Sequence, residues 1–253
     1  MTITPDCNTI LKLAEKYSIV PVCREIYADV TTPITLLRKL TGFSKRYYLL
    51  ESIEGGETWG RYSFLGYDPV MRVTCRDRKV YIEKQGKTET VETEKPLHVL
   101  REIMKDYKSP RLSGMPPFTG GFVGYFAYSM VGYAEPVLNI KKGTFPDYDV
   151  MLFDKVIAYD HLKQKICIIV NMRTDKVMEN YGEATAEIAR IAGLIKSAPV
   201  PAIAGEPEQI DFTCNVSREE YCSIVEKTKE YIRDGDIFQA VISRQFSSPM
   251  KGS

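Results

Sequence analysis

Only two histidines occur in the 253 residues, His98 and His161, and the six cysteines at 7, 23, 75, 167, 214 and 222 include no C-x-x-C pair. A zinc constellation at the usual spacing cannot be assembled from so few ligands. Isolated cysteines in a chain of this size suit a reducing compartment better than a disulfide scaffold. An excess of one charge sign is also missing, since 34 Lys and Arg face 33 Asp and Glu, a formal net charge of +1. Nothing here argues for a nucleic-acid partner or a disordered acidic tail. No apolar run approaches the roughly 18 residues that would mark a membrane span, so no membrane partner is expected. The opening Met1-Thr2-Ile3-Thr4-Pro5-Asp6 lacks the charged and apolar regions of a signal peptide, and the expected location is the cytoplasm.

The content that remains, 44% hydrophobic and 26% charged, is that of an ordinary globular protein long enough for one large domain or two small ones. Asn8–Tyr17 has the apolar spacing of an amphipathic helix, and Val20–Tyr27 reads as extended. Thr31 or Thr32 can cap a helix with Pro33 in its first turn and Leu36, Leu37 and Leu40 on one face. Tyr47–Leu50, Arg61–Gly66, Val70–Cys75 and Val80–Lys84 carry strand signals separated by turn residues. Lys95–Tyr107 reads as helix, and Phe118–Tyr128, Asp149–Asp160 and Lys165–Met172 read as buried strands, the last two joined by 161–164. A helix is expected over about 176–196. These hairpin-like runs with isolated helices predict an α+β fold of mixed or antiparallel sheets packed with helices.

Ala198–Gln209, with three prolines and a glycine, is the best linker candidate. After it, Ser217 with Glu220 forms a capping box for a helix to about Arg233, stopped at Asp234-Gly235 and followed by a strand over Asp236–Phe246.

Chemical motifs are sparse. Gly120, Gly121 and Gly124 lie inside an aromatic strand, not at a strand–helix turn, so they mark a bulge or close backbone approach and not a phosphate loop. His98 sits in an apolar context and His161 in a turn, neither beside an evident nucleophile motif. Glu219-Glu220 and Asp234/Asp236 are explained by helix-start and turn chemistry. No complete catalytic constellation is visible. One stretch stands out: Tyr47–Gly66, YYLLESIEGGETWGRYSFLG, sets Glu51 and Ser52 at a strand end, where they are either hairpin residues satisfied by backbone or a ligand seat.

Leu49-Leu50-Glu51-Ser52, Gly60–Gly66, Pro117–Gly121 with Val123-Gly124-Tyr125, Pro146-Asp147 and Gly235–Arg244 together resemble anthranilate synthase component I. The likeness spans nearly the whole chain. It implies an N-terminal domain of that type over residues 1–200, a linker over 201–209, and over 210–253 the opening helix and strand of a chorismate-binding domain. The family's large subunit is roughly double this length, a size that divides into domains. It converts chorismate and glutamine-derived ammonia to anthranilate and pyruvate in tryptophan biosynthesis, with Mg²⁺ and a glutamine amidotransferase subunit, component II, and with L-tryptophan as effector.

The family's catalytic histidine and metal-binding glutamates belong to the later half. The resemblance therefore implies no catalytic and no metal-ligating residue here, and a chain that is catalytically incomplete. It places the tryptophan pocket at the LLES stretch, with Ser52, Glu51 and Leu50 as ligand-binding residues. An amino-acid ligand offers an ammonium for a carboxylate such as Glu51, and an indole for apolar neighbours such as Leu50. Two alternatives stay open: part of an aminodeoxychorismate synthase component I, or a non-catalytic domain that binds tryptophan or the amidotransferase.

Overall fold

In a computed structural model of the protein, the structure describes residues 2–29, 31–51, 60–135, 137–138, 140, 143–201 and 211–249. The chain divides into two compact units, Met1–Pro201 and Ala202–Ser253. The first begins with β1 (Ile3–Thr4) and α1 (Cys7–Ala14), the helix capped by the Asp6 carboxylate, which accepts from Thr9 N. After β2 (Ile19–Tyr27), Thr32 caps α2 (Pro33–Thr41) by accepting from Thr35 N. Four strands follow: β3 (Tyr47–Leu50), β4 (Tyr62–Tyr67), β5 (Met71–Arg76) and β6 (Lys79–Lys84).

β7 (Lys87–Glu92) is an element the hydrophobic pattern does not announce, because KTETVE is almost wholly polar and exposed. Its signal is the turn before it. Gln85 and Gly86 both have positive φ, 49° and 74°, the geometry of a tight two-residue hairpin that pairs Lys84 with Lys87. Then come α3 (Pro96–Lys105), β8 (Gly121–Phe126), a 3-10 turn, α4 (Val131–Ala134), β9 (Tyr148–Phe153), β10 (Lys155–Asp160), β11 (Lys165–Arg173) and α5 (Val177–Ser197).

All the pairings are antiparallel, in one six-stranded sheet of order β1-β2-β11-β10-β4-β3 and one five-stranded sheet of order β7-β6-β5-β9-β8. The α+β reading with antiparallel sheets therefore holds. Alternation along the strands sorts the core. Ile157 and Tyr159 of β10 join Leu65, Ile166, Ile168 and the α5 residues Ile188 and Ile191 on one face of the larger sheet. Val156 and Ala158 join Cys23, Cys167 and Ile169 on the other. Val73, Tyr148, Val150 and Leu152 of the smaller sheet pack with Leu100 of α3.

Three strand expectations are corrected. Asp149–Asp160 is not one strand: β9 and β10 belong to different sheets and change over at Asp154, whose carbonyl accepts from Asn171 N (2.8 Å) and Asn171 Nδ2 (3.0 Å). Anchoring that carbonyl to β11 turns the chain from one sheet to the other. Phe118–Tyr128 is not a buried strand. Among the described residues only Gly121–Phe126 pairs, at a sheet edge with β9 as its neighbour, so Tyr125 and Phe126 stay exposed. The glycines there do serve close approach, since a Cβ on Gly124 would lie 2.0 Å from the Asp149 carbonyl oxygen.

In the second unit, β12 (Thr213–Cys214) precedes α6 (Arg218–Arg233), with Ser217 Oγ accepting from Glu220 N as the capping box requires. The helix ends at Asp234, and Gly235 takes φ 79°. The strand expected over Asp236–Phe246 shrinks to β13 (Phe246–Ser247), paired with β12. Apolar alternation favours a strand only where a neighbour supplies the ladder, and among the described residues 236–244 have no strand partner, while Gln245 O accepts from Asn215 N beside the β12–β13 pair. Most of the linker candidate, 202–209, lies outside the described residues.

Candidate functional site

The chain's polar side chains converge where β3, β4 and β10 end together. Register sets the meeting: Leu50 pairs with Phe64, Ser63 with Tyr159, and Tyr62 with Asp160. Glu51 therefore follows β3 beside Ser63, while the turn after β10 brings His161 to the same place. Ser63 Oγ is 2.7 Å from His161 Nε2 and donates to Glu51 Oε1 at 3.3 Å. A serine has one hydroxyl hydrogen and a carboxylate only accepts, so both bonds form together when Nε2 carries the proton. Ser63 is wholly buried, whereas Glu51 and Leu50 are exposed. A fixed hydroxyl thus steers a solvent-facing carboxylate.

A second layer braces the first. Arg61 grips Asp160 in a two-pronged bond, Nε to Oδ1 at 3.1 Å and Nη2 to Oδ2 at 2.6 Å. The backbone N–H groups of Leu162 and Lys163 also donate to Asp160 Oδ1, at 3.1 and 3.0 Å, which pins the turn that carries His161. Burial works to raise the Asp160 pKa, but the Arg61 bond and the two N–H donors outweigh it and hold the carboxyl below its ordinary value. The Arg61 guanidinium also lies over the Tyr62 ring at 4.9 Å, and the His161 ring lies 4.8 Å from that of Tyr159.

Of the three residues expected to bind a ligand, the structure puts Glu51 and Leu50 at this strand end; Ser52 lies outside the described residues, as does Trp59. Sequence reading missed Ser63 and His161 as partners because 98 positions separate them. The available signal was Asp160-His161 at the boundary of a strand and its turn. His98 lies elsewhere, exposed on α3, with Nε2 3.3 Å from Glu102 Oε1. Among the described residues no three His, Cys, Asp or Glu side chains are placed to hold a metal ion, so the Mg²⁺ implied by the resemblance has no fitting donor set here. Among them, too, no helix is long and apolar enough to cross a membrane.

What the strand end offers is an outward carboxylate held by Ser63, itself paired with His161, and so able to take a cationic group, with Leu50 exposed one residue before it.

Residues 45–253 match the chorismate binding enzyme family. Anthranilate synthase component 1 of Acetivibrio thermocellus is 38% identical over 252 residues, covering 95% of this chain and 51% of that protein. The protein of the same name from Aquifex aeolicus is 33% identical over 259 residues, 100% of this chain and 52% of its own length. The crystal structure of anthranilate synthase component I from Streptococcus pneumoniae TIGR4 superposes with a TM-score of 0.58 at 27% identity, over 91% of this chain and 50% of that one. The chain spans about half the length of the relatives it matches.

Proposed function

The chain belongs to the chorismate-binding enzyme family, and from that premise we propose that it works as part of an anthranilate synthase component I subunit. The reaction served is conversion of chorismate and glutamine-derived ammonia to anthranilate and pyruvate, with component II delivering the ammonia. The single observation that carries this reading is the 38% identity that runs through 95% of the chain. Within such a subunit these residues supply part of a tryptophan feedback site and do not by themselves turn chorismate over.

The strand-end geometry supports the regulatory half. An amino-acid effector needs a carboxylate for its ammonium, and Glu51 is exposed and held by Ser63. It also needs an apolar surface for its ring, a role the family resemblance gives to neighbours such as Leu50, exposed one residue earlier. Ser52, next in the chain, contributes a hydroxyl. Inhibition follows if tryptophan binds one conformation better and that conformation binds chorismate poorly.

The test compares two proteins: this chain, and the same residues within a subunit of the relatives' full length. The longer protein is expected to form fluorescent anthranilate from chorismate, ammonia and Mg²⁺, with inhibition by tryptophan that Ser52→Phe weakens at least tenfold. This chain alone is expected to form none. Anthranilate from the 253 residues would refute the division of labour, and unchanged inhibition in Ser52→Phe would remove the strand end from the effector site.

A further inference from the structure

At the other end of β10 a cavity of about 510 Å³ opens where the two sheets of the first unit change over. Its walls include Leu152 and Phe153 from the end of β9, Asp154 at the changeover, Lys155 at the start of β10, and Tyr107 and Ser109 beyond α3. The size is that of a small-molecule site. Lys155 opens β10 and Asp160 closes it, so about 17 Å of strand separates this cavity from the Glu51 cluster.

Its polar groups are unfinished. The Lys155 side chain is only 14% exposed, yet its ammonium stands 3.4 Å from Asp154 and 3.8 Å from Asp68, and among the described residues it makes no hydrogen bond. The partly buried Arg61–Asp160 and Arg72–Asp149 pairs both close to 2.6 Å. Among the described residues, Ser109 Oγ and Asp154 Oδ1 are buried without a hydrogen-bond partner, the latter 3.4 Å from Lys155 Nζ. Buried polar atoms in native proteins are nearly always satisfied, by protein, water or ligand, because an unmade bond costs free energy. Here an ammonium and a hydroxyl, both able to donate, share one cavity.

Lys84, Lys155 and Arg173 line the cavity against Asp68 and Asp154, one more cation than anion. Arg173 spends one N–H on the Asp106 carbonyl and lies over the Tyr107 ring at 4.4 Å, which leaves further donors on its fork. Apolar wall comes from Ile19, Val70, Met104 and Phe153.

We infer that this cavity is a second ligand site, separate from the strand-end seat, which takes a small organic monocarboxylate with a ring-sized apolar body. The carboxylate accepts from Lys155 Nζ and Ser109 Oγ, and the apolar body packs over Phe153 and Met104.

The test uses this 253-residue chain with 1-naphthoate as probe and 1-naphthamide as its uncharged counterpart. Calorimetric titration is expected to show saturable one-to-one binding of the acid, with the amide about tenfold weaker, the cost of losing a hydrogen bond to a charged group. Lys155→Gln is expected to weaken the acid about tenfold. Ser109→Ala should weaken it several-fold while leaving thermal unfolding unchanged, because it removes an unpaired hydroxyl and no bond. Amide NMR shifts on titration should cluster at Gly120, Gly121, Asp154 and Lys155. No saturable binding at millimolar probe would mean that water alone completes the cavity, and the inference fails. It fails equally if the amide binds as well as the acid, if both variants bind like the parent, or if the shifts fall at Glu51, Ser63 and His161.

Discussion

The two ends of β10 present the same ingredients, charged side chains partly buried beside backbone, in opposite states of completion. At Asp160 the carboxylate has two bonds from Arg61 and two from backbone N–H groups. At Lys155 the two ion pairs are 3.4 and 3.8 Å long, and the cavity beside them holds a hydroxyl with no partner. A completed network costs little to bury and fixes geometry, as the steering of Glu51 through Ser63 and His161 requires. An incomplete one gains from whatever completes it, which is the condition for binding. One strand thus carries a rigid support at one end and an open valence at the other.

The largest expected effect breaks the completed end. Asp160→Ala strands a guanidinium and two N–H donors in a partly buried site, and should cost about 3 kcal/mol in urea unfolding. The pH dependence follows with a definite sign. Because the folded-state pKa of Asp160 is depressed, its stabilisation is present above the unfolded value near 3.8 and is lost as pH falls through the lower folded value. Parent and Asp160→Ala should therefore converge in stability below about pH 4. Parallel curves through that range would show that the Arg61 pair does not hold the carboxylate.

A smaller change is expected from Ser63→Ala, about 1 kcal/mol, since the hydroxyl bonds two groups that can turn to water. Its sharper readout is tryptophan affinity in the longer subunit, which should fall as Glu51 loses its anchor. Wild-type affinity would show that the carboxylate needs no positioning. The smallest effect belongs to the open end: Ser109→Ala should change stability by less than about 0.5 kcal/mol. A loss near that of Ser63→Ala would mean that Ser109 Oγ is bonded after all, and the contrast between the ends would collapse.

Elements with strong local chemistry were legible. The Thr32-Pro33 start of α2, the Ser217/Glu220 box of α6 and the β-branched run of β2 state their structure within a few residues. So did the turn at Asp234-Gly235. β7 was not, because an exposed edge strand needs no apolar pattern and takes its order from the hairpin turn. The change of sheet at Asp154 was not, because the residue that causes it, Asn171, belongs to another strand. At the strand end, Glu51 and Leu50 were within reach through motif and family resemblance. Ser63 and His161 became partners only when β4 paired with β10.

Composition, spacing and capping residues by themselves determined the longer helices, most strands and the α+β class, because each rests on interactions within a few positions, and an ordered series of motifs carried the resemblance to the family. Tertiary structure alone decided which polar groups are satisfied and which are not. Hydrogen-bond completion depends on strand register and on residues far apart in the chain, and a sequence names the donors and acceptors without saying which of them will meet.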